Sequence, residues 1–161
     1  MARHPAPLRT QLVRVLDWDE AHAGFDKATG GIPVDARGTV PQGFAHSPWH
    51  ILEHLRIAQK DILAFCTDAT YMHDLRWPDD YWPTDSAPPG RADWDTSLAD
   101  YQADREALQQ LASDSHVDLL APVPTGNANQ TTLRGILLAA SHASYHLGEL
   151  VAVRRALGIW P

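Results

Sequence analysis

The chain has 161 residues, with 13 lysines and arginines against 20 aspartates and glutamates, giving a net charge of −7. That length supports one domain with a proper core, and an acidic balance without a basic stripe argues against nucleic acid as the main partner. Cys66 is the single cysteine, which excludes an internal disulfide and a thiolate metal cluster.

A metal site, if there is one, must therefore use histidine and carboxylate. No run of about 18 apolar residues is present, so no membrane span is expected. The start, Met1-Ala2-Arg3-His4-Pro5, carries charge but no following apolar region, so the expected location is cytoplasmic.

In chain order, Leu8, Leu12, Val15, Leu16 and Ala23 recur at helical spacing and predict a helix from about Leu8 to Thr29, ended by Gly30-Gly31. His22 falls near its stripe and reads as a boundary residue. A loop rich in glycine and proline follows. Ser47-Pro48 then opens a second helix, with serine as N-cap and proline at the first helical position. On that helix, which runs to Cys66, Ile51, Leu55, Ala58, Ile62 and Phe65 form one apolar face. His54 lies at the edge of this face, whereas His50 lies further round, toward Glu53 and Asp61. His50 and His54 are four apart, but periodicity makes His54 the inward one.

Residues from Thr67 to Asp93 form a long loop holding Tyr71, His73, Trp77, Tyr81 and Trp82 among prolines. Loops beyond about 12–15 residues tend to be functional or disordered, and the aromatics argue against disorder. This one is expected to pack over the end of the helices and to wall a pocket; the competing reading is satellite core under a long loop. A third helix starts near Asp93, a plausible N-cap, and runs to about Ala112, with Trp94, Leu98, Tyr101, Leu108 and Leu111 as its stripe. The last runs from Thr131 or Thr132 to Leu157 and stops at Gly158. It is apolar on two sides. One side carries Leu133, Leu137, Ala140, Ser144, Leu147 and Val151, an expected contribution to a homodimer interface or to neighbouring helices. The other carries His142, His146, Glu149 and Leu150.

Four amphipathic helices with linkers predict an all-α fold, a four-helix bundle, and bundles build metal sites from facing side chains. His142 and His146 sit one turn apart on one helix face and can grip an ion from one side, with His54 as the candidate to complete the set. Three imidazoles with an open position suit Zn, Ni, Co or Fe(II). A lone H-x-x-x-H is a weak signal in a chain with nine histidines, and from pattern alone structural histidines remain the stronger reading. Ala143 stands where a metalloprotease needs glutamate. Asp61 and Glu149 are near enough in the helical register to support the site or to act as base, but most helix carboxylates are solvated and neither is assigned a role. His4, His46, His73 and His116 fall in terminal or loop segments and read as surface residues.

Taken together, several stretches resemble the DinB/YfiT-like family of metal-dependent enzymes. They are Ser47-Pro48-Trp49-His50, Glu53-His54-Leu55-Arg56-Ile57-Ala58-Gln59, Asp61-Ile62-Leu63, Tyr81-Trp82-Pro83, His142 with Tyr145-His146-Leu147-Gly148, Arg154-Arg155 and Leu157-Gly158. The resemblance covers nearly the whole chain, 1–161, as a single domain. It implies a four-helix bundle of up-down-down-up topology with long loops, often dimeric. It also implies a metal site mapping onto His54, His142 and His146, all present here, with Glu149 where many relatives carry glutamine. Some relatives are S-transferases using a low-molecular-weight thiol such as mycothiol or bacillithiol. The expected function is a metal-dependent enzyme on a small molecule, a thiol S-transferase or hydrolase, with a divalent metal (Zn or Ni first, then Fe, Co or Mn). The alternative is a non-catalytic, stress-associated protein that binds a metal or small ligand.

Overall fold

The structure, a computed structural model, describes residues 4–161; Met1 to Arg3, part of the start searched for a leader, lie outside the described residues. Five helices follow one another: α1 (Ala6–Val15), α2 (Phe25–Thr29), α3 (Pro48–Thr67), α4 (Arg91–Ser113) and α5 (Thr132–Ala156). Short 3-10 turns lie at Val34–Ala36 and Asp79–Tyr81. The described residues contain no strand, and a single isolated bridge joins Pro122 to Thr131. The all-α class expected from the sequence is thus observed.

The helix expected from Leu8 to Thr29 is broken in two. Asp17, Asp19 and Glu20 would place like charges at a growing helix C-terminus, where the dipole disfavours them. Asp17 instead accepts a hydrogen bond from Arg105 Nη1 at 2.6 Å. Gly24 takes an extended conformation and starts α2, whose Phe25 stacks on Tyr101 at 4.1 Å between centroids. Gly31, not Gly30, adopts the left-handed φ of 70° after α2.

At α3 the serine cap is as expected: Ser47 Oγ accepts from His50 N at 3.1 Å, with Pro48 at the first position. α4 starts earlier than expected, at Arg91 after an extended Gly90, and Asp93 lies within its first turn. There a carboxylate favours the helix dipole without capping. Thr131 caps α5, accepting from Arg134 N at 3.2 Å.

Named contacts set the helix directions. Arg9 Nη1 donates to Ala112 O at 2.9 Å and Gln109 Nε2 to Val13 O at 3.2 Å, so α1 and α4 run antiparallel. Ser97 Oγ donates to Glu53, and Gln59 Nε2 to Tyr101 O at 2.7 Å, so α3 and α4 run parallel. α5 is antiparallel to α3, with Gly135 against Cys66 at one end and the histidines meeting further along. A side chain at Gly135 would run into Cys66 Sγ, so the absent Cβ lets the two helices approach closely.

Trp49, Ile51, Leu52, Leu55, Trp94, Leu147 and Leu150 are buried together at one end of the core. Leu12, Leu16, Leu108, Leu119, Ile136 and Ala140 fill the other. By length and composition alone α5 could cross a membrane, but much of its apolar surface is spent on these clusters. Of the stripe expected to serve a dimer, Ala140 and Leu147 are buried within this chain. Leu133 and Val151 pack against the core from partly buried positions. The large apolar side chains that α5 leaves outside are Leu137, Leu138 and Tyr145.

Candidate metal centre

His54 projects from α3 and His142 and His146 from α5, and one ring nitrogen from each lies within 4.8 Å of the others. His54 Nε2 is 3.1 Å from His146 Nε2 and 2.9 Å from His142 Nε2. His54 is 1% exposed and His146 8%; His142 is half-buried. The structure therefore brings together the three histidines singled out in the sequence. His50 stays apart: its Nδ1 accepts from Ser47 N at 3.2 Å, closing a reciprocal cap at the start of α3.

The opposite ring nitrogens determine which atoms face the centre. His54 Nδ1 is 2.8 Å from Tyr81 O. A carbonyl only accepts, so this nitrogen carries the proton and Nε2 of the neutral ring is bare. His146 Nδ1 is 2.8 Å from Glu149 Oε2. Burial alone would raise the Glu149 pKa, but hydrogen bonds from His146 and His46 outweigh it and hold the carboxyl below its ordinary value. Glu149 is thus an acceptor, and Nε2 of a neutral His146 is also bare. The short contact between His54 and His142 then requires His142 to supply the proton. Burial, with the neighbouring imidazoles, lowers the His142 pKa to about 4. Burial also lowers that of His54 to about 4, against the hydrogen bond to Tyr81 O. Both rings are neutral at pH 7.

The long loop closes over this cluster. Trp82 lies flat on His54, with centroids 3.8 Å apart and planes 3° apart. It also stacks on His46, at 3.8 Å and 11°. The loop thus packs against the histidine cluster through Tyr81 and Trp82. His46 had read as an unassigned surface residue; instead it is half-buried, and its Nδ1 donates to Glu149 Oε1 at 2.7 Å. Its place next to the Ser47 cap was the one available signal, since an N-cap sits where a loop turns inward. Asp61 does not support the histidines directly. Its two oxygens accept from Tyr71 and Tyr81 hydroxyls at 2.8 and 2.6 Å. His22 is exposed and contacts Ser144 Oγ at 3.1 Å. His4 is partly buried against Asp118 at 3.0 Å, His73 meets the Tyr71 hydroxyl at 2.9 Å, and His116 stays on the surface. A large open concavity lies elsewhere, along Asp17, Asp19, Glu20, His22 and Asp26, and His54, His142 and His146 do not line it.

A model of the DinB superfamily matches residues 17–150. The chain belongs to the DinB superfamily. The match spans α2 to α5 up to Leu150, and so takes in His54, His142, His146 and Glu149. No curated protein and no solved structure gives a significant match. In this DinB-superfamily chain the three-histidine cluster is compatible with metal binding, since three nitrogen donors converge and two have their second nitrogens tied to acceptors. Partners of this kind fix ring orientation and tautomer at metal-ligating histidines.

Proposed function

We propose that His54, His142 and His146 hold a divalent metal ion through their Nε2 atoms, and that the protein is a metal-dependent enzyme acting on a small molecule. The observation that carries this reading is the pair of bare Nε2 atoms, on His54 and His146, facing each other at 3.1 Å. With His54 Nδ1 tied to Tyr81 O and His146 Nδ1 to Glu149, both Nε2 atoms of the neutral rings are acceptors, and a cation in the cluster would satisfy all three imidazoles where the one proton from His142 satisfies only His54. The donor set fits the ion: three neutral imidazoles suit Zn or Ni, and also Fe, Co or Mn. Loading would require His142 to move its proton to Nδ1. A bound ion supplies Lewis acidity toward a thiol or a water at its open position.

The chain's own residues do the rest. Glu149 holds His146 and His46 at once and keeps a negative charge beside the imidazoles. Trp82 covers one face of His54 and excludes water from it. His142, the least enclosed of the three, marks the side from which a ligand enters. The reaction is S-transfer from a low-molecular-weight thiol of the bacillithiol or mycothiol type, or hydrolysis of an activated ester or amide. The helix directions support a four-helix bundle of up-down-down-up topology made by α1, α3, α4 and α5. In this reading the protein is a cytoplasmic homodimer, and exposed Leu137, Leu138 and Tyr145 offer the apolar surface for it; sedimentation at micromolar concentration checks that. The enclosure of His54 and His146 favours a second reading, a stress-associated protein that holds a metal or small ligand without turnover.

The test is metal content of untagged protein, wild type beside His146→Ala. About one divalent ion per chain is expected in the wild type and loss of it in the variant. The loaded protein is then screened with thiols plus an electrophilic fluorophore, and with activated esters. Turnover that chelation leaves unchanged removes the metal-dependent enzyme reading, while a tight metal site with no turnover selects the second one.

A further inference from the structure

Residues 81 and 82 meet His54 in two perpendicular ways. The Tyr81 carbonyl accepts the Nδ1 proton in the plane of the ring, and the Trp82 indole covers its face. Together they define both the tilt and the rotation of the imidazole. A loop segment can do this only if it is itself held. Tyr81 is 6% exposed, and its hydroxyl donates to Asp61 Oδ2 at 2.6 Å. The other oxygen of Asp61 takes the Tyr71 hydroxyl, which meets His73 Nδ1 at 2.9 Å. Burial and then Asp61 itself push both phenols above their ordinary pKa, so both stay protonated donors. Asp61 is seven residues beyond His54 on α3, which places it about two turns along nearly the same helix face. One rigid helix therefore carries both the candidate ligand and the anchor of the loop that orients it.

We propose that Asp61 is a positioning residue for the metal centre: through the Tyr81 hydroxyl it pins the segment whose carbonyl and indole fix the ring of His54. This rests on the three-histidine reading above. It assigns Asp61 a role neither as ligand nor as base, and it links a loop anchor two turns away to the affinity of the site. Outer partners of metal-binding histidines change affinity by about 10–100-fold when removed. Asp61 acts through one intermediary, so the lower end of that range is expected.

The experiment measures Zn affinity of the full chain by competition with a chromophoric chelator, and the Co(II) d–d spectrum, for wild type, Asp61→Ala, Tyr81→Phe and Tyr71→Phe. Asp61→Ala and Tyr81→Phe should each weaken Zn by about tenfold and shift the Co(II) bands, because ring orientation changes. The double variant should be no worse than the weaker single, because both act along one connection. Tyr71→Phe leaves Tyr81 on Asp61 and should stay within about twofold of the wild type, since its bond does not lie on the path to His54. Affinities and Co(II) spectra of Asp61→Ala and Tyr81→Phe equal to those of the wild type would overturn the proposal. If Asp61→Ala fails to fold, Tyr81→Phe, which removes one oxygen, decides. If the wild type binds neither ion, the metal reading fails. Ring NMR of the metal-free chain then judges the positioning role by itself: a slowly exchanging His54 Nδ1–H in the wild type, lost in Tyr81→Phe, upholds it, and an unchanged signal overturns it.

Discussion

Two pairs of histidines in this chain have the same spacing and different fates. On α5, His142 and His146 both turn inward and meet His54. On α3, His54 joins that cluster while His50, one turn earlier, spends its Nδ1 on the backbone of Ser47. The pairs differ in where they fall along their helices. His142 and His146 lie mid-helix, where the backbone is already paired and a side chain is free to face a neighbour. His50 is the third residue of its helix, where unpaired backbone N–H groups compete for any nearby acceptor. Four-residue spacing places two imidazoles on one face; the state of the local backbone decides whether both are available.

The largest expected effect breaks the inward cluster. His54→Ala, His142→Ala or His146→Ala should each reduce bound metal from about one ion per chain to near none, read by elemental analysis, while His50→Ala should retain it. Metal lost with His50→Ala and kept with His54→Ala would invert the comparison. Next comes the support. Glu149→Ala frees both His146 and His46 and should weaken metal by about 10–100-fold in a chelator competition. Gly135→Ala acts on the approach of α5 to α3. Its new methyl collides with Cys66 Sγ and should lower unfolding free energy by about 1–3 kcal/mol, with Cys66→Ala restoring part of the loss in a denaturant titration.

The α3 cap gives a smaller, complementary effect. Ser47→Ala should cost about 1 kcal/mol of stability and leave metal content unchanged, which separates the capping end of the helix from the histidine cluster. A pH titration sharpens the same contrast. The folded pKa of His54 and His142, about 4, lies below the unfolded value of 6.5. Between those values the unfolded chain binds more protons, so the metal-free protein keeps this contribution above about pH 6.5 and loses it as pH falls toward 4. Thermal melts of His142→Ala should show a shallower acid slope than the wild type.

Much of this was legible in the chain itself. Hydrophobic periodicity located α3 and α4, and α5 stood out as a long segment without proline, apolar on two sides. Ser47 and Thr131 announced their helix starts because an N-cap depends on side chains adjacent in sequence. His54 was separable from His50 because the apolar face of its helix includes one and not the other. The break after Val15 was not legible from periodicity, because Leu16 and Ala23 extend the stripe past it; Arg105, the partner of Asp17, lies 88 positions further along the chain.

The same division holds at the candidate centre. Residue type and spacing determined that His142 and His146 share a face, because helical geometry is local. Only the tertiary structure brought His54 against them, tied its Nδ1 to Tyr81 O, drew His46 inward to Glu149 and set the Tyr71 and Tyr81 hydroxyls on Asp61. Each of those outcomes is a hydrogen bond or ring stack between segments distant in sequence. Which partner a histidine or carboxylate finds depends on the helix packing, and local periodicity carries no information about it.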